Sequence, residues 1–324
     1  MDEGVNVVVF TRNLIIVQFC SKSNIFFTCL IVNMKCIEIC AGIGGMSLGL
    51  HEAGFEHTLL VEKDTRCVDV LALNGFKNII HSPIQHINYK IYSGIDLVAG
   101  GVPCQGFSIA GKSLGENDSR NLWPEAIRCV RECQPKCFLF ENSANMCGPK
   151  HLPYLTRIIR EFESMGFTVT QFKVDASNFG VPQRRKRLLL LGKRAPGEIP
   201  LPPSIPHITV RQALASLGHP NDINGHTAHP GARTYKGHTP SNLDLPSKSI
   251  TSGVHGPGGG NATILLDDGS IRYYTVREIA RLQTFPDSFK THNVRSVAVK
   301  QLGNACPPKL IAIFATALVT ALIA

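Results

Sequence analysis

The chain lacks any apolar run long enough to cross a bilayer. Residues 1–33 hold three short ones, Val7-Val-Val-Phe10, Leu14-Ile-Ile-Val17 and Ile25-Phe-Phe-Thr-Cys-Leu-Ile-Val32. All fall well short of the roughly 20 residues a membrane helix needs. The basic start, apolar centre and small-residue cleavage site of a secretory signal are missing too. The first 33 residues therefore read as a leader or unrelated extension, with a native start expected at Met34. A disulfide framework is also absent: eleven cysteines is an odd number, and their spacing fits no such scaffold, which points to a reducing cytoplasm. Cys129, Cys133 and Cys137 match neither a zinc pair nor an iron–sulfur run, so they are expected on a helix face without metal. Acids are outnumbered, 24 against 33 Lys+Arg, for a net charge of +9. That balance favours an anionic partner, nucleic acid first. At 324 residues the chain can bury one large α/β domain with a small appendage.

What is present is organised around residues 95–108. An apolar strand pattern over 95–99 gives way to Gly100-Gly-Val-Pro103 and then Cys104-Gln-Gly-Phe-Ser108. Glycines permit close backbone approach and Pro103 stiffens the residue before the thiol. The construction delivers a sulfur to the carboxyl end of a strand, the edge of an open α/β sheet where ligands collect. Cys104 is thus a candidate nucleophile.

Two further strand patterns end in an acid. Residues 35–40 form a strand, Ala41-Gly-Ile-Gly-Gly45 a tight turn, 46–53 an amphipathic helix closed by Gly54, and Thr58-Leu-Leu-Val-Glu62 a second strand. A glycine turn followed at this distance by a strand-terminal carboxylate suits a nucleoside, with Glu62 accepting from the ribose hydroxyls. After a loop hinged at Gly106, Gly111 and Gly115 and a helix over 121–133, Lys136-Cys-Phe-Leu-Phe-Glu141 brings a second carboxylate to the edge that carries Cys104. Asn142 follows it.

A helix over 152–165 and a strand over 167–174 precede Gln183-Arg-Arg-Lys-Arg187, which opens a strand at 188–191. Alternate residues of that basic run must point into the crevice. Composition then shifts: 195–206 holds five prolines and 218–260 is rich in Gly, His, Pro, Ser and Asn, a small region apart from the main domain. Regular structure resumes with strands over 263–266 and 271–274, a helix capped by Thr275 with Glu278, and an apolar helix after Gln301-Leu-Gly-Asn-Ala-Cys-Pro-Pro308 that is expected to pack beside the first strand. The expected divisions are 1–33, 34–194, 195–274 and 275–324.

Taken as an ordered set, these blocks resemble the cytosine-5 DNA methyltransferases in their unpermuted order, from Met34 to the C-terminus. The motifs are Ala41-Gly-Ile-Gly-Gly45, Pro103-Cys104-Gln105, Glu141-Asn142, Gln183-x-Arg185-x-Arg187, Arg277-Glu-x-Ala-Arg-Leu-Gln283 and Gly303-Asn304. The resemblance implies a Rossmann-like methyltransferase sheet with helices on both faces, plus a small irregular target-recognition domain. It implies S-adenosyl-L-methionine as methyl donor, held by Cys40, Ala41, Gly42, Ile43, Gly44, Gly45, Glu62, Ile84, Pro103, Leu122 and Asn304.

Cys104 would attack carbon 6 of a flipped-out cytosine, Glu141 would stabilise charge at N3, Arg187 would contact O2, and Arg185 would support the site. Double-stranded DNA is the implied partner, met by Gln105, Ser108, Arg120 and Gln183, with Arg233 and Lys236 in the recognition region reading a short site. The family also includes enzymes paired with a cognate restriction endonuclease, and a monomer with no membrane partner is expected. Cys40, Lys63, Pro83 and Ser143 depart from the family's usual residues; the first three lie on the adenine side of the pocket. An RNA-methylating branch is disfavoured by Gly106-Phe-Ser108 after the Pro-Cys-Gln and by the lack of a Cys-Phe-Thr segment. A catalytically impaired DNA-binding relative is the other alternative.

Overall fold

The computed structural model describes residues 34–103, 116, 118–229, 231–232, 239–251 and 262–323, together with the backbone of 5–9, 14–19 and 27–32. The three early segments, β1 (Val5–Val9), β2 (Leu14–Phe19) and β3 (Phe27–Val32), pair antiparallel as a sheet of their own. The ordered α/β pattern starts with β4 (Met34–Ile39) and continues through α1 (Gly45–Glu52), β5 (Phe55–Glu62), α2 (Thr65–Leu73), β6 (Ile79–His81), β7 (Leu97–Gly101), α3 (Trp123–Cys133), β8 (Cys137–Ser143), α4 (Leu152–Ser164), β9 (Thr168–Asp175) and β10 (Lys186–Lys193). A short α5 (Val210–Leu214), strands β11 (Ser241–Asn242), β12 (Thr263–Leu265) and β13 (Ile271–Tyr273), and helices α6 (Val276–Leu282), α7 (Arg295–Asn304) and α8 (Pro308–Ile323) complete it.

Seven strands form the main sheet in the order β6-β5-β4-β7-β8-β10-β9. Five are parallel, and β10 runs antiparallel to both β8 and β9. Strands buried on both faces need apolar residues at successive positions, not an alternation of apolar and polar. Ile37, Ile39, Val98, Phe138 and Phe140 pack on one face against Trp123 and Cys129 of α3 and Phe162 of α4. Their sequence neighbours Cys36, Leu97, Ala99, Cys137 and Leu139 pack on the other against Leu50 of α1 and Leu310 and Phe314 of α8. Cys129 and Cys133 lie on a helix face as expected; Cys137 instead opens β8 and faces the opposite side of the sheet.

Helix α8 lies close against α1, and its Leu310 and Phe314 share the apolar cluster of Cys36 on β4. A Cβ at Gly49 would lie 2.4 Å from the Pro308 carbonyl oxygen and 2.7 Å from the Ile311 Cβ, so glycine is what lets the two helices touch backbone to backbone. Segment 295–323 has the length and hydropathy of a membrane span, but 61% of its most apolar window is buried inside the protein, and Cys306-Pro307 divides it into two helices. Strands β11, β12 and β13 form a three-stranded sheet. Ile264 of β12, with Ile250 and Ala262 nearby in the chain, shares a cluster with Ile279 and Leu282 of α6 and Leu302 of α7.

Candidate active site

Because β4 to β8 are parallel, their carboxyl ends share one edge, and strand order reverses there: from β4 the chain builds outward to β5 and β6, then returns to add β7 on the other side. Crevices form at such switch points. A cavity of about 950 Å³ opens here, within the range of small-molecule sites. Its walls come from the turn after β4, the ends of β5, β7 and β8, a 3-10 turn at Ile84–His86, and α7.

Glu62 ends β5 with its carboxylate fixed by main chain. Oε2 accepts from the Gly42 N–H and Oε1 from the Lys63 and Asp64 N–H groups, each at 2.8 Å. A carboxylate offers about four acceptor positions; with three used, the one left is on Oε2. Gly42 has φ +56° with nothing within 4 Å of where a Cβ would sit, so its backbone lies open to the cavity. Ala41, Ile43, Gly45 and Cys40 join it on the wall. Gly44 does not. Its φ is +89°, it caps α1, and ring atoms of Phe76 lie within 2.9 Å of its ideal Cβ position. It sets the turn and packs toward α2.

Ile84, Pro103, Leu122 and Asn304 also line the cavity. Two residues that the sequence pattern did not single out matter as much. Glu38, fully buried on β4, accepts from Ser47 Oγ at 2.7 Å and pairs with His57 Nε2 at 3.0 Å through Oε2. Its Oε1 is buried with no hydrogen-bond partner among the described residues. Gln301 of α7 donates to the Arg66 carbonyl at 3.0 Å, and its Oε1 is likewise buried without a partner among them. Two orphaned acceptors on one cavity wall are costly unless a ligand brings donors.

At the other end of the cavity stands Glu141, paired with Leu189 across the antiparallel β8–β10 ladder. The diagonal neighbour two residues away shares its face, which is how Arg187 Nε reaches Glu141 Oε1 at 2.5 Å. Asn142 donates to the Val102 carbonyl at 3.1 Å and so ties the end of β8 to the segment leading to Cys104. Strand β7 itself runs through both glycines to Gly101, two residues past the sequence expectation. A Cβ at Gly100 would lie 2.7 Å from Ile39 Cγ1, so the glycine serves close strand packing and the chain turns out only at Val102.

Cys104, Gln105, Ser108, Arg233 and Lys236 lie outside the described residues. Arg185 and Gln183 are described, and they are interior. Arg185 donates to the carbonyls of Ile250, Gly303 and Ala305 at 3.0, 2.8 and 3.0 Å; it positions the main chain beside Asn304 and does not line the cavity. Gln183, expected at the DNA, is fully buried. It donates to Gln283 Oε1 at 3.0 Å and accepts from the Ile250 N–H at 2.9 Å, bracing the end of α6 against the chain at Ile250. Arg120 forms a two-pronged pair with Asp118 at 2.8 and 2.7 Å, and that guanidinium holds the Asp118 carboxyl down at about 2. The pair stays ionised throughout the neutral range.

Among the described residues, three thiols reach the cavity wall: Cys40, Cys67 and Cys306. Burial pushes all three up, Cys67 to about 12. Since the thiolate is the nucleophile, none of them is poised to attack at neutral pH.

Comparison with known proteins decides the family. The model of the C-5 cytosine-specific DNA methylases matches residues 34–226 and 224–320. The chain belongs to this family. Type II methyltransferase M.NgoMIV of Neisseria gonorrhoeae is 34% identical over 291 residues, covering 84% of this chain and 93% of its own. Type II methyltransferase M.AplI of Arthrospira platensis is 31% identical, covering 85% and 82%. In fold, the methylase superposes on Entamoeba histolytica methyltransferase EhMeth with a TM-score of 0.72 at 17% identity, over 90% of this chain and 99% of that one.

Proposed function

We propose that this C-5 cytosine-specific DNA methylase transfers a methyl group from S-adenosylmethionine to carbon 5 of a cytosine extruded from duplex DNA, through a covalent adduct with Cys104. The observation that carries the reading is one cavity lined by the glycine turn, Glu62 and Glu141, with Arg187 held on Glu141 from the neighbouring strand.

The residues present fit the cofactor. Glu62 Oε2 has a position left for a ribose hydroxyl, and the open backbone at Gly42 admits a nucleoside. The orphaned oxygens of Glu38 and Gln301 match a molecule that carries two amino groups, one on adenine and one on its methionine end. When bound, it supplies an electrophilic methyl on a sulfonium.

The chain's own residues do the rest. Carbon 5 of cytosine is a weak nucleophile until a thiolate adds at carbon 6. Cys104 forms that S–C6 bond, and ring electrons move toward N3. Glu141 faces N3 and shares a proton with it, which offsets the charge that develops there, while Arg187, held on Glu141, reaches O2. Carbon 5, made nucleophilic in this way, would then accept the methyl group that the bound cofactor supplies. Loss of the carbon 5 proton to a base expels the Cys104 thiolate and restores the ring. A stacked base cannot meet the cavity, so flipping precedes all of this.

Methyl transfer from labelled cofactor to duplex DNA and, in parallel, to tRNA tests the proposal. Incorporation into carbon 5 of cytosine in DNA is expected, with Cys104→Ser lowering turnover by about 10³-fold or more. Transfer to tRNA alone would overturn the DNA assignment, and a fully active Cys104→Ser would overturn the covalent route.

A further inference from the structure

After β6 the chain enters the 3-10 turn Ile84–His86, and Pro83 and Ile84 join Pro103 and Leu122 among the apolar residues that line the methyl-transfer cavity. Its own main-chain bonds hold the turn weakly: the His86 N–H reaches the Pro83 carbonyl at 3.1 Å and the Ile87 N–H the Ile84 carbonyl at a long 3.4 Å. The firmer grip comes from α3. Arg128 Nη2 donates to the Ile84 carbonyl at 3.0 Å and the Gln85 carbonyl at 3.4 Å, and Nη1 donates to the Ile87 carbonyl at 3.1 Å. Tyr89, fully buried, donates its hydroxyl to the same Ile84 carbonyl at 3.2 Å, and its ring centre lies 5.0 Å from the Arg128 guanidinium carbon.

Two acids fix the guanidinium in turn. Arg128 Nε donates to Glu125 at 2.7 Å and Nη1 to Glu132 at 3.1 Å, and Glu132 also accepts the Tyr89 N–H at 3.1 Å. A guanidinium presents its donors in one rigid plane, so a single side chain that engages three carbonyls sets their directions relative to one another; an ammonium is a point charge and does not. Neither Arg128 nor Tyr89 lines the cavity. They act on the turn from behind, and Pro83 and Ile84 remain on the wall.

The order of strands says which part of the cofactor meets this wall. With the ribose on Glu62 at the end of β5, the methyl must point across β4 and β7 toward Glu141 at the end of β8. The purine is left to lie the other way, toward β6 and the turn that follows it.

We propose that Arg128 is a positioning residue for the cofactor: by fixing the Ile84–His86 turn it keeps the adenine wall in shape before the ligand arrives. The proposal rests on the reading of this cavity as an S-adenosylmethionine site. A wall ordered in advance lowers the ordering cost of binding, so Arg128 acts on cofactor affinity and not on the methyl-transfer step.

Calorimetry of S-adenosylhomocysteine binding to the full chain, with steady-state kinetics at varied S-adenosylmethionine, tests the role. Arg128→Lys keeps a cation beside Glu125 and Glu132 but cannot span the carbonyls, and its Kd is expected to rise about tenfold or more. KM for the cofactor should rise with it, while kcat at saturating cofactor stays within about twofold of wild type. Arg128→Ala should lose at least as much affinity, and free guanidinium at millimolar concentration should restore part of it. Glu125→Gln removes one of the acids that hold Arg128 without touching the turn, and its Kd should match wild type. Wild-type affinity in both Arg128 variants overturns the role. So does an equal loss in Glu125→Gln, which would trace the effect to the ion pairs of α3, or a fall in kcat with Kd unchanged. Failure of the wild type to bind S-adenosylhomocysteine would overturn the cofactor reading itself, and this role with it.

Discussion

Glu62 was legible from sequence because a glycine turn, a helix and a strand ending in an acid place that carboxylate predictably at the sheet edge. Glu38 and Gln301 were not. Position 38 reads as one more residue of a buried strand and position 301 as a helix surface; only the folded chain brings both to the wall of one cavity, each with a buried oxygen that lacks a partner among the described residues. Gln183 shows the opposite error. A polar residue in a basic run looks like a DNA contact, yet its strand-entry position carries it inward to Gln283.

These readings predict separable effects. Glu62→Gln replaces an oxygen that accepts main-chain N–H groups with an amide donor, and charged hydrogen bonds contribute roughly 1.5–3 kcal/mol each. Cofactor affinity by calorimetry should fall about 10- to 100-fold, and an unchanged Kd would contradict the ribose role. Gln183→Ala should lower the melting temperature without altering the salt dependence of DNA binding. A flattened salt slope would restore it to the DNA surface.

At the scale of elements, the central strands of the main sheet were recoverable because doubly buried strands read as continuous apolar runs, and α1 and α4 because each ends at a glycine, Gly54 and Gly166; α2 and the short β6 carry no such pattern and were not picked out. The Thr275–Glu278 capping box is present as expected, with the Glu278 N–H donating to Thr275 Oγ1 at 3.1 Å and the Thr275 N–H to Glu278 Oε2 at 2.8 Å. The contact of α8 with α1 was not recoverable, since nothing local in a 16-residue apolar helix names the surface that it covers. Gly49 is the residue on which that contact turns. Gly49→Ala forces a methyl against the Pro308 carbonyl, an overpacking that costs about 1–3 kcal/mol. Differential scanning fluorimetry should show a loss of several degrees. An unchanged melting temperature would mean that the helices can separate without cost.

For the whole molecule, the order of strands brings together parts far apart in sequence. Cofactor features come from β4 and β5, the nucleophile-bearing segment from the end of β7, and the Glu141–Arg187 pair from β8 and β10. The antiparallel β10 is what lets a basic residue enter at the same edge where its parallel neighbours leave. Sequence order alone revealed the motifs, but not that Arg185 works through the carbonyls of Ile250, Gly303 and Ala305, which only the closed chain assembles.

All of this converges on one sulfur meeting one pyrimidine ring. Incubating the protein and S-adenosylmethionine with duplex DNA that carries 5-fluorocytosine at the target position measures that meeting directly, because fluorine cannot leave as the proton does and the adduct persists. The account predicts a denaturation-stable protein–DNA complex whose linked peptide contains Cys104, and none with Cys104→Ser. A duplex methylated at ordinary cytosine while the fluorinated one yields no linked peptide, or a link through any other residue, would contradict it.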